Sequence, residues 1–170
     1  LGWRGVLDEA AFSLQKIGNT VAINALYQAL SNEDEKVRFA AGEALTEIGE
    51  EAVRPLTEVF TAENYRDNVV GIKKIDNAIK LITDAKINHP KVIEALRWTV
   101  VNIDTLNKGC YVDTTKNAAL ALLKSYQGEK ALAEAIKDPL LIKFGSRFEN
   151  VLKTIEESKT DSYEILEALA

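Results

Sequence analysis

The chain repeats itself. Residues 10–30, AAFSLQKIGNTVAINALYQAL, and residues 37–60, VRFAAGEALTEIGEEAVRPLTEVF, share one skeleton. Ile17-Gly18 falls on Ile48-Gly49, and Leu14 on Leu45, 31 residues later. After the glycine, Ile23, Leu26 and Leu30 fall on Val53, Leu56 and Phe60, 30 residues later. Such a period fixes the architecture, because each unit is one supersecondary element whose apolar face it cannot bury alone. Neighbouring units must stack to cover it.

Each unit is helical. Val37, Ala40, Ala41, Ala44, Leu45 and Ile48 recur at the three- and four-residue spacing of an amphipathic helix. Asp34 is placed to cap its start and Gly49 to end it in a left-handed conformation. Ile23, Leu26, Tyr27 and Leu30 give a shorter helix of the same period. Further stripes follow at Ile72, Ile75, Ile79 and Ile82, at Ile93, Leu96, Val100 and Ile103, and at Phe148, Val151, Leu152 and Ile155. The small-residue helix returns at Ala118-Ala119, with Leu122, Leu123 and Tyr126, and GEKALAEAI (128–136) follows it. Asp138-Pro139 is a cap before a proline at the first helical position, and a last helix follows KTDS. No stretch alternates with period two, so the expectation is about ten helices in one domain over residues 1–170. Residues 3–17 read as one helix of a pair without its mate, as in a segment of a longer array. Residues 61–84 and 102–116 break the strict period, with Asn107-Lys108-Gly109 as a turn.

The motif DEKVRFAAGEALTEIG (34–49) resembles the short HEAT-like repeats of phycobilisome lyases. Asp34 and Arg38 fall on the Asp and Arg of that pattern, Ala40, Ala41 and Ala44 on its small positions, and Ile48-Gly49 on its ending. Residues 9–60 fit it closely, 116–138 moderately and the rest loosely. The resemblance implies an all-α fold, an α-α superhelix that is a HEAT-like solenoid of helix pairs. Asp34 and Arg38, four apart, are expected to pair with each other or with a neighbouring repeat. Families with these repeats include scaffolds, chromophore lyases and enzymes.

Catalytic constellations are sparse. With His89 and Cys110 each the sole residue of its kind, neither a zinc site of usual Cys/His spacing nor the His-Glu pairs of HEAT-like di-iron hydroxylases can be built. His89, before Pro90, suits a loop or helix cap. A thiol enzyme needs a base beside its cysteine, and His89 is the one histidine available. GIKKIDN and GEK lack the spacing of a phosphate loop. The Glu33-Asp34-Glu35 and Glu50-Glu51 runs sit at helix starts, where the helix dipole favours negative charge. No enzyme, metal or cofactor is therefore expected.

The net charge is −5 and is uneven along the chain. Residues 1–60 hold 5 Lys/Arg against 10 Asp/Glu, residues 61–110 hold 8 against 6, and residues 111–170 hold 8 against 10. This balance disfavours a polyanionic partner. Lys73, Lys74, Lys80, Lys86, Arg97 and Lys108, with Trp98, form the basic set that nucleic-acid binding would need. No run approaches the ~20 apolar residues of a membrane span, and the lone cysteine fits a reducing, cytoplasmic setting.

A protein partner is the favoured expectation, and concave helix faces are where such arrays bind. Beside the packing stripe, helix 36–48 carries Phe39, Glu43 and Glu47 on one face. The repeat offset adds Phe12 before them, and Lys73, Asn77 and Asn117 after them. Aromatic anchors among charges are typical of protein-binding surfaces. The oligomeric state is open. Two other readings are a bilin-lyase-like subunit acting on a phycobiliprotein and a nucleic-acid-binding HEAT-like domain.

Overall fold

A computed structural model describes Ser13 and residues 20–60, 69–102, 112–125, 127–143 and 145–170. Among the described residues there are ten helices and no strand. They are α1 (Thr20–Ala29), α2 (Glu35–Ile48), α3 (Glu50–Thr57), α4 (Val69–Asp84), α5 (Pro90–Asn102), α6 (Val112–Leu123), α7 (Gly128–Ile136), α8 (Pro139–Lys143), α9 (Gly145–Ser158) and α10 (Tyr163–Leu169).

The helix ends follow local chemistry. Asp34 accepts the Lys36 N–H at 2.9 Å and starts α2. Gly49 ends α2 with φ 101° and ψ −158°. The positive φ matches the sequence expectation, but the extended ψ does not, and the reason is the next helix. Gly49 donates its N–H to Leu45 O at 3.2 Å, while its own carbonyl accepts from Ala52 and Val53 at 3.0 and 3.2 Å. One residue thus closes α2 and opens α3, in a conformation essentially reserved for glycine.

α4 ends otherwise. Ile87 donates to Ile82 O at 3.0 Å and Lys86 to Thr83 O at 3.3 Å, with Lys86 left-handed at φ 53°. This is the paired bonding of a Schellman motif, with the apolar Ile82 and Ile87 buried beneath it. His89 then caps α5, its Nδ1 accepting the Lys91 N–H at 3.2 Å. Asp138 accepts the Leu140 N–H at 2.9 Å and starts α8 at Pro139.

Packing arranges the helices in two layers. In one, α2 touches α4, α4 touches α6, and α6 touches α9; in the other, α3, α5, α7 and α10 follow one another in the same way. α1 lies on α2, and α8 lies against α5, α7 and α9. Leu45, Val53, Ile75, Leu96, Leu122, Leu132 and Ile165 are fully buried between them. The small positions Ala40, Ala41 and Ala44 are buried as expected. The repeat loosens at α4 and α5: α4 lies against α2, α3 and α6, and α5 against α3, α6, α7 and α8. The turn 85–89, closed by one motif at Lys86 and reopened by the His89 cap, separates them.

Polar ties cross between helices. Thr114, 1% exposed, donates its hydroxyl to Asp76 Oδ1 at 2.7 Å and joins α6 to α4. The Tyr27 hydroxyl donates to Ala52 O at 2.7 Å and joins α1 to α3. Burial pushes the Tyr27 phenol up from its usual 10.0 to about 12. A raised phenol contributes stability that is complete below pH 10 and lost as the pH rises from 10 through about 12. Tyr27→Phe should therefore cost about 1 kcal/mol at pH 7 through the lost hydrogen bond. It should also flatten that alkaline loss, which urea unfolding at pH 7, 9 and 11 will show. An alkaline limb as steep in the variant as in the parent would refute the assignment.

Candidate partner-binding surface

Six of the seven residues expected to meet a partner lie in one layer, and Phe12 lies outside the described residues. Glu43 and Glu47 are exposed one turn apart on α2. Lys73 and Asn77 are exposed on α4, with Lys80 continuing their row, and Asn117 is exposed on α6. Phe39 is only half-buried, and it is not bare: the Lys86 ammonium stands 5.5 Å from its ring centroid. That is cation–π range.

The surface charge changes sign between adjoining helices. Glu35, Glu43 and Glu47 make the exposed side of α2 acidic, and Lys73, Lys74 and Lys80 make that of α4 basic. These three lysines have no ion-pair partner among the described residues. Elsewhere charges are tied: Lys116 bonds Glu157 at 2.9 Å and holds its carboxyl below the usual carboxylate range. Arg97, one of the basic set, is half-buried in the other layer and faces Glu134 at 3.7 Å and Asp138 at 4.0 Å. It is therefore drawn away from any cationic row on α4. Lys108 and Cys110 lie outside the described residues.

Arg38 departs from expectation. Rather than pairing with Asp34, its Nη1 donates to the carbonyls of Asn32 and Glu33, each at 2.8 Å. Its Nε is buried without a hydrogen-bond partner among the described residues. Asp34 is already occupied as the cap of α2, so the arginine turns back onto the preceding loop. Two adjoining clefts, of about 400 and 530 Å³, meet at this side chain and share Arg38 and Asp84 in their walls. The smaller opens between the start of α2, the end of α4 and the end of α6, and the larger between α4, Arg38 and the end of α1. No sequence period points to this place, because residues near 38, 84 and 124 share no repeat offset.

Residues 5–69 match the sequence model of the family described as HEAT repeats. The chain is HEAT-like there, and its described helices stack in the manner of an all-α repeat fold. No curated protein and no solved structure matches it. HEAT repeats commonly mediate protein–protein interaction. Among the described residues of this HEAT-like array, no helix is long and apolar enough to cross a membrane.

Proposed function

We propose that this chain is a non-catalytic, cytoplasmic scaffold that binds another protein across α2, α4 and α6. One observation carries the reading: an acidic helix side stands next to a basic one, and the lysines on α4 have no ion-pair partner among the described residues. Adjoining stripes of opposite sign suit a protein surface of complementary sign order, which fixes register and rejects wrong partners. A continuous phosphate backbone would be repelled by Glu43 and Glu47. Phe39 supplies the apolar anchor at the acidic end, and Asn77 and Asn117 supply hydrogen bonds farther along.

Affinity capture of the tagged chain from nuclease-treated native lysate tests this. A stoichiometric protein partner is expected with the parent chain. Phe39→Ala combined with Glu43→Lys should reduce its recovery at least about tenfold, since losing a central anchor commonly costs more than 1 kcal/mol. Helical content by circular dichroism should not change. Undiminished capture by the double variant would remove this surface from consideration, and recovery of phycobiliproteins would shift the reading to the lyase-type resemblance of residues 34–49.

A further inference from the structure

We propose that the two-lobed cleft around Arg38 is a docking slot for an acidic, extended peptide segment of a partner protein. The inference rests on the protein-binding reading above but concerns the edge of the layer, not the row formed by Glu43, Glu47 and Lys73.

Size is the first reason. At about 400 and 530 Å³ the two lobes fall within the ordinary range of ligand-binding clefts. The lining is the second. Ile82, Ile87, Leu96 and Ala121 lie beneath the smaller lobe but are 0–4% exposed, so they close its floor and offer no apolar surface. Around them stand Arg38, Lys86 and Lys124, with Lys80 in the adjoining lobe. None of these four cations has an ion-pair partner among the described residues. Two carboxylates, Glu35 and Asp84, share the walls, so cations outnumber acids.

Arg38 and Lys86 give the slot its fixed points. The two backbone carbonyls hold the Arg38 guanidinium in place, so a carboxylate binds it with little further ordering. Its Nε is buried and has no hydrogen-bond partner among the described residues, so the Nη atoms are the ones that face the slot. Lys86 occupies a left-handed conformation at φ 53°, which glycine would adopt without strain. The chain does use glycine where α2 turns into α3. The Lys86 ammonium stands over the Phe39 ring at the edge of the slot, and Lys159 takes the same φ at the end of α9.

The carboxylates decide between polyanions. Glu35 and Asp84 would repel a run of phosphates, yet they accept hydrogen bonds from peptide N–H groups. An extended acidic peptide offers carboxylates to the lysines and amides to Glu35 and Asp84.

The test uses the whole chain on an array of immobilised octapeptides rich in Asp and Glu, and a matched array with Lys in place of the acids. The strongest binder is then titrated by fluorescence anisotropy. The acidic array should retain the chain at least tenfold better than the lysine array. Lys80→Glu with Lys124→Glu, both exposed positions, should weaken the titrated peptide tenfold or more with helical content unchanged, and Glu43→Lys should leave it as it was. Equal retention on the two arrays, or binding indifferent to the paired lysine reversal, would overturn the proposal. Displacement of the peptide by an oligothymidylate at equal concentration would overturn it in favour of nucleic acid. Peptide binding that is absent while partner capture persists removes the slot alone. Peptide binding that persists while the Phe39/Glu43 variant still captures its partner fully removes the other surface alone.

Discussion

Leu122→Ala is expected to lower the free energy of unfolding by about 2–5 kcal/mol. Leu122 is 0% exposed and sits on α6, the helix that touches α4, α5, α7 and α9. Removing its isobutyl group costs the transfer energy of the lost methyls and also leaves a hole that four neighbours cannot all move to fill. Stacked repeats hold together through nearest-neighbour interfaces, and α6 contributes to both layers. A domain commonly has only about 5–15 kcal/mol in total, so this one side chain decides a large share. Urea unfolding followed by circular dichroism should show the shift in midpoint. Leu166→Ala on α10, at a residue 55% exposed, should stay within about 0.5 kcal/mol. A loss below about 1 kcal/mol at Leu122 would mean that the layers do not depend on α6.

Gly42→Ala sets two effects against each other, and packing should win. Within a helix, alanine is favoured over glycine by about 1 kcal/mol, so propensity alone makes this substitution stabilising. The added Cβ, however, would run into the Ala85 carbonyl oxygen and approach Ala85 Cβ to 2.9 Å. The obstacle is backbone in the Schellman turn, not the free end of a flexible side chain, so α2 or the turn must move. Overpacking of this kind typically costs about 1–3 kcal/mol. Thermal unfolding should therefore show a lower midpoint than the parent chain. A higher midpoint would show that the turn at Ala85 yields freely, and that propensity governs the site.

The repeat was legible because its signals are local. Glycine before a break recurs at a fixed offset, while an aspartate before a helix and a three- and four-residue apolar stripe are readable within one helix, and Asp34, Asp138 and the buried stripe of α4 sit where those signals put them. The crossing of helices was not legible. Amphipathic spacing puts Phe39 on the outward side of α2, but a lysine from a turn far along the chain covers its ring. The same spacing treats Gly42 as an ordinary helix residue, although it is the point where Ala85 comes closest. Arg38 shares one lobe with Lys124 of α6 and the other with Lys80 of α4 only because of how these helices are stacked. Contacts of that kind depend on crossing angles, which no single-helix period encodes.

Gly49 gives the array its stiff joint. Since α2 and α3 share that residue and have no slack between them, a tilt of one is passed directly to the other. Between α4 and α5 the turn 85–89 intervenes, so their relative tilt is set by its hydrogen bonds and by packing, not by a shared residue. The walls at Asp84 and Lys86 belong to that turn, so the opening beside Arg38 is built where the stack lacks a shared residue.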